Sequence, residues 1–164
     1  MQDVESVWRR CFPLIREKCR RMLGDPAEAD DVAQETFVRL WQSKLSGDDP
    51  RSLVSWVYRT STRLAIDRMR ERARKRGLGE TALEQLEALP SQSASTDDAL
   101  QTRRELARLA QALPPAELEM ALLHRLDGLT QVEIAEVMQI SDRTVRRGLE
   151  RFDQRVRALR QEAV

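Results

Sequence analysis

TQVEIAEVMQISDRTVRRGLERF, residues 130–152, decides how the rest of the chain is read. Thr130 can cap a short helix whose inward residues are Ile134 and Val137. Ala135 is small where a second helix must cross closely, and Ile140 is the apolar residue of a turn. Ser141 caps the second helix, and Val145 and Leu149 point inward from it. Asp142, Arg143, Arg146, Arg147, Glu150 and Arg151 are then left outside. About eight positions agree in type and spacing with a helix-turn-helix, whose second helix sets its N-terminal outward residues against base edges in a DNA groove. An ordinary helical hairpin with an arginine-rich tail is the plainer alternative. Gln139 stands where the turn calls for φ > 0, which costs strain in any residue but glycine.

The chain carries 28 basic and 27 acidic residues in 164, a formal net charge of +1, which argues against a simple polybasic binder. By segment the balance is uneven. Residues 51–76 are net +7 and residues 141–160 net +4. Residues 77–98 hold Glu80, Glu84, Glu87, Asp97 and Asp98 and no basic residue. Two basic blocks divided by an acidic stretch point to a polyanion met at two sites. Solvated helix faces rich in Arg–Glu pairs would give the same counts.

The pattern is helical almost throughout, with Gly and Pro falling mainly between helical stretches. Residues 4–22 predict a helix with Val4, Val7, Trp8, Cys11, Ile15, Cys19 and Met22 on one side and a kink at Pro13. Asp25-Pro26 starts a second helix that runs to about Ser43. A third covers 51–75 and ends at Gly77. The segment around Ser91–Thr96 resembles a linker, with room for a short helix over 81–89. Further helices are expected from Ala99 to Leu113 and from Ala116 to Leu126. The expected fold class is all-α: two small helical domains, 1–76 and 98–164, joined by an acidic linker over 77–97.

Several function classes are set aside by composition. Cys11 and Cys19 cannot build a disulfide framework or zinc site by themselves, and His124 is the single histidine, so no metal and no cofactor is expected. Ser, Cys and His form no nucleophile set, so the chain reads as no enzyme. No apolar run approaches the roughly 20 residues of a membrane span, and the acidic Met-Gln-Asp-Val-Glu start lacks a signal pattern. No membrane insertion is expected.

Residues 25–41, DPAEADDVAQETFVRLW, combine an apolar stripe (Val32, Ala33, Phe37, Leu40, Trp41) with a face of Asp30, Asp31, Gln34 and Glu35. The helix dipole alone accounts for acids near a helix start. The segment also closely resembles the core-binding helix of bacterial sigma-70-family sigma factors. Residues 49–70, DPRSLVSWVYRTSTRLAIDRMR, resemble the promoter-melting and minus-ten-reading helix that follows it. The helix-turn-helix with the helix before it resembles the domain that reads the minus-thirty-five element. Order, acidic linker and length are similar to the short extracytoplasmic-function (ECF) group. The run His124–Leu129, with Asp49–Ser52, is similar to its iron-starvation subgroup.

The resemblance implies a cytoplasmic bacterial initiation factor. Its partners would be core RNA polymerase (the clamp helices of the largest subunit, and the flap), promoter DNA and an anti-sigma factor that could hold it at the inner membrane. Asp30, Asp31, Gln34, Glu35 and Phe37 match the polymerase-binding helix, with Phe37 and Trp41 packing beneath. Trp56, Tyr58, Arg59, Arg63, Arg68 and Arg70 match the minus-ten segment, where aromatic groups stack on unpaired bases; Trp56 also fits the core. Ser141, Arg143, Thr144, Arg146, Arg147 and Arg151 match the recognition helix. Arg63 stands where the family often has Asn, and Gly148 where many relatives carry Arg. The free chain is expected to bind DNA poorly, because linker and domain packing mask the basic blocks. A sigma-like decoy, or a helix-turn-helix regulator acting without polymerase, is the competing reading.

Overall fold

The protein was analysed as a computed structural model that describes residues 2–43, 45, 50–76 and 97–162. Residues 77–96 of the acidic stretch, with the expected helix over 81–89, lie outside the described residues, while Asp97 and Asp98 begin a helix. Helices α1 (Gln2–Leu23), α2 (Pro26–Gln42) and α3 (Pro50–Arg76) form one bundle. Helices α4 (Asp97–Ala112), α5 (Pro115–Arg125), α6 (Gln131–Met138) and α7 (Asp142–Glu162) follow. No strand occurs among the described residues.

The bundle forms because each helix offers an apolar stripe at helical spacing. Val7, Cys11, Ile15, Cys19 and Met22 of α1 are buried against Val32, Ala33, Phe37 and Leu40 of α2 and Leu53 and Val57 of α3. The helix runs unbroken through Pro13, which is exposed, and Trp8, expected on the apolar side, stays 37% exposed at the edge of the stripe. Gly24 ends α1 at φ +77, donating its N–H to the Arg20 carbonyl at 2.9 Å. Asp25 then caps α2, its Oδ1 accepting from the Ala27 N–H at 2.8 Å with Pro26 in the first turn.

The helix-turn-helix is present as α6 and α7. Thr130 and Glu133 form a capping box: the Thr130 hydroxyl accepts from the Glu133 N–H and the Glu133 carboxylate accepts from the Thr130 N–H. Gln139 takes the left-handed conformation at φ 56, ψ 44, as the turn demands. Ile134, Ala135, Val145 and Leu149 are buried. Gly148 is a close-packing position: a Cβ there would lie 2.6 Å from the Met120 sulfur of α5. The position faces inward, toward α5.

The two halves are packed together along α3, which touches α4, α5 and α6 as well as α1 and α2. Leu113, Leu118 and Leu122 are buried, with Leu106 and Leu109 partly so.

Candidate functional site

The recognition helix is open. Ser141, Arg143, Thr144, Arg146 and Arg147 are all exposed around the first turns of α7. The Ser141 and Thr144 hydroxyls lie 2.8 Å apart, and the Thr144 N–H donates to Ser141 Oγ. This cluster of three arginines beside a helix N-terminus suits a phosphate-lined groove. Arg151, assigned to the same face, is held elsewhere. Its Nε donates to Glu117 of α5 at 2.8 Å, and Arg155 reaches the other Glu117 oxygen at 3.0 Å. Glu117 has a side chain only 8% exposed, so these arginines balance a buried charge inside their own half.

The basic face of α3 is partly closed, at Arg59 and Arg70. Arg59 donates to Glu119 of α5 at 3.0 Å and to the Val137 carbonyl at the end of α6 at 2.8 Å. Arg63 stays exposed, 3.9 Å from the same Glu119. Arg70 donates to the Ala110 and Leu113 carbonyls at the end of α4, at 2.8 and 2.7 Å. It caps that helix rather than facing solvent. Arg68 faces α2, 3.6 Å from Glu35, and Arg72 pairs with Glu28 while donating to the Leu23 carbonyl. Trp56 and Tyr58 are partly buried against the core, as the core alternative for Trp56 requires. Burial pushes the Glu119 carboxyl up, and the bond from Arg59 opposes that shift.

Beneath this face lies a group that sequence reasoning passed over. Lys18 of α1 has a side chain 5% exposed, and its Nζ donates to Asp127 Oδ2 at 2.5 Å. It also reaches Thr62 Oγ1 at 2.6 Å, the Tyr58 carbonyl at 3.1 Å and Ser61 Oγ at 3.3 Å. Burial pushes Lys18 down and Asp127 up, against their mutual attraction. A signal was available: Lys18 lies three residues after Ile15 and seven after Cys11, on the buried stripe.

Beyond the first turn of α2 the exposed residues are Asp31, Gln34, Val38, Arg39, Trp41 and Gln42, of which Asp31, Gln34, Val38 and Trp41 follow one another at helical spacing. Trp41 is 61% exposed and Val38 44%, so Trp41 lies on the surface rather than beneath it. Phe37 is 2% exposed, its ring 5.7 Å from Phe12; it supports the helix from within and touches nothing outside. Asp30 faces α1, where Arg16 Nη2 donates to it at 2.8 Å and holds its carboxyl below the usual range. Glu35 accepts from Arg39 at 2.6 Å. Val38 completes the stripe at seven residues from Asp31, a spacing visible in the sequence.

A chain with a helix-turn-helix after a basic and an acidic-faced helix invites comparison with known proteins. The model of Sigma-70 region 2 matches residues 7–75, and that of Sigma-70, region 4 matches residues 103–151. The chain is 30% identical over 145 residues to the ECF RNA polymerase sigma factor SigW of Bacillus subtilis, covering 84% of this chain and 78% of that one. The chain belongs to the ECF sigma factors of RNA polymerase. The Escherichia coli ferric citrate uptake sigma factor FecI is 32% identical over 149 residues, covering 87% of this chain and 82% of its own length. A Bartonella quintana structure of the sigma factor RpoE with the anti-sigma factor NepR has a similar fold, with TM-score 0.57, 18% identity and 98% of both chains covered.

As an ECF sigma factor, the chain binds core RNA polymerase and directs promoter-specific initiation of transcription. It works as an initiation factor and not as an enzyme. No helix among the described residues is long and apolar enough to cross a membrane.

Proposed function

We propose that this sigma factor meets its partners in a fixed order, polymerase first and promoter second. The observation behind this is the contrast between its two basic blocks. Arg143, Arg146 and Arg147 point to solvent, whereas Arg59 and Arg70 are bonded to the sigma factor's own C-terminal half. The free chain therefore offers an upstream-reading helix while its melting face is covered at Arg59 and Arg70. Residues 1–76 are the unit that binds core and melts, 98–164 the unit that reads the minus-thirty-five element, and 77–97 the tether that lets them part.

The polymerase-docking face is the α2 stripe of Asp31, Gln34, Val38 and Trp41, rimmed by Asp30 and Glu35 and backed by Phe37. A carboxylate and an amide beside a large exposed aromatic suit a polar partner helix with an apolar centre. Once docked, the α3 face of Trp56, Tyr58, Arg59, Arg63, Arg68 and Arg70 follows the minus-ten strand. Ser141, Arg143, Thr144, Arg146 and Arg147 read upstream bases and phosphates. Arg151 takes a supporting place, holding α7 on α5. A cytoplasmic location and an anti-sigma partner, which could tether the chain at the inner membrane, complete the reading.

The test is reconstituted transcription with core polymerase and promoter DNA, alongside binding of the chain alone. The expected result is promoter-specific initiation by the mixture and weak upstream binding by the free chain. Tight promoter binding by the free chain, unchanged on adding core, would overturn the proposed order.

A further inference from the structure

Lys18 is a buried cation whose counter-charge belongs to a separable part of the molecule. Three of its described partners, the Tyr58 carbonyl and the Ser61 and Thr62 hydroxyls, lie on α3 and move with it. The fourth, Asp127, lies 109 residues away on the α5–α6 turn. Neutral oxygens satisfy the N–H groups of an ammonium and leave its charge unbalanced. When the C-terminal half leaves to span a promoter, the site loses its one described carboxylate. What remains beside the ammonium are the Ser61 and Thr62 hydroxyls, which here donate to the Tyr58 carbonyl and can turn to donate elsewhere. That is a receptor for a single anionic oxygen.

The neighbours identify the anion. Tyr58, Arg59, Ser61, Thr62 and Arg63 lie within two turns of one helix. The closing element sets Asp127 on Lys18 and Glu119 on Arg59, with Arg63 alongside. The closing element thus sets two negative charges on cations of one face, the charge pattern that a polyanion also offers. We propose that Lys18, Ser61 and Thr62 form a seat for one backbone phosphate of the promoter strand, and that Asp127 occupies this seat until the halves separate. The inference rests on α3 being the minus-ten face.

Holoenzyme binding to a forked DNA probe, with a single-stranded non-template tail across the minus-ten position, tests it across a salt series. Lys18→Met should weaken binding about tenfold, the effect of one lost charged hydrogen bond. It should also lower the slope of log affinity on log salt by about 0.7, as for one phosphate on a single strand. Lys18→Arg should restore the slope. A slope unchanged in Lys18→Met overturns the seat, and so does a loss confined to assembly on core, which would put a polymerase carboxylate there instead. Asp127→Asn guards against a folding defect at Lys18. In the free chain it should raise affinity for the tail several-fold with a steeper slope, and unchanged affinity counts against the proposal. Wild-type holoenzyme that ignored the fork would refute the assignment of α3 itself.

Discussion

Replacing Asp127 by Ala should open the molecule without unfolding it. The Lys18 and Asp127 side chains are 5% and 3% exposed. If the halves stayed together, the Lys18 ammonium would remain buried among neutral oxygens, and breaking one side of such a pair costs about 3–5 kcal/mol. The chain has an alternative that most buried pairs lack: the C-terminal half can move off and let water reach Lys18. Against that movement stand the Arg59 bonds to Glu119 and Val137 and the Arg70 bonds to the end of α4. A loss of about 3 kcal/mol from the closed state alone shifts the closed-to-open ratio by about 150-fold. Energy transfer between dyes on Gln42→Cys and Gln154→Cys, both exposed positions, reads that ratio. Cys11 and Cys19 are buried, and burial pushes the Cys19 thiol up to about 12, so neither competes for label. Transfer should fall in Asp127→Ala and recover in the Lys18→Met/Asp127→Leu pair, which refills the space with apolar groups. Wild-type transfer in Asp127→Ala, with an unchanged urea midpoint, would refute the reasoning.

Gln139→Gly should stabilise the chain. The left-handed conformation costs a side-chain residue about 1–2 kcal/mol, and the freer unfolded glycine takes back about 0.5–1. The net gain should appear as a melting temperature higher by about 1–4 °C. Trp41→Ala should leave that temperature unchanged and weaken core polymerase binding about 30-fold or more, as measured by titration of core, since an exposed aromatic anchor contributes about 2 kcal/mol. Gly148→Arg should bring no gain in upstream DNA affinity in a gel-shift titration, because the position faces Met120 of α5. The Thr130 N–H holds the Glu133 carboxyl below the usual glutamate range. The cap is therefore complete above that range and is lost as pH falls through the lowered value. Loss of α6 helicity on acidification should be smaller in Glu133→Gln, and an equal loss would remove Glu133 from the cap.

Local chemistry made most of the fold legible. Asp25-Pro26, the Thr130 capping box and the strain at Gln139 depend on neighbours within four residues, and each is found where the sequence puts it. The inward residues of α6 and α7 follow from spacing alone. Whether a charged residue faces water or another helix depends on partners distant in sequence. Arg59 and Arg151 look alike in the sequence, yet the first is bonded across the two halves and the second within one. Lys18 was hidden for the same reason, its counter-charge being 109 residues away. Trp41 misled because an aromatic residue on an apolar stripe reads as core, while at the end of α2 it stays exposed.

The near-neutral charge of the chain acquires a structural cause in α5. Glu117 and Glu119 are two residues apart, which on a helix turns them roughly 200° from each other. One therefore faces α7 and the other α3. Glu117 holds Arg151 and Arg155, and Glu119 holds Arg59 with Arg63 nearby. A single eleven-residue helix thus balances part of both basic blocks. The two balances differ in kind. The Glu117 pairs lie within the C-terminal half and survive separation, whereas the Glu119 pairs cross between halves and break with it. Opening should then release Lys18, Arg59, Arg63 and Arg70 to DNA while Arg151 and Arg155 stay bound. The salt dependence of promoter binding should accordingly steepen by about three to four phosphate equivalents between the closed chain and the holoenzyme, counting these four cations. Glu119→Gln should bring the free chain part of the way, and Glu117→Gln should not.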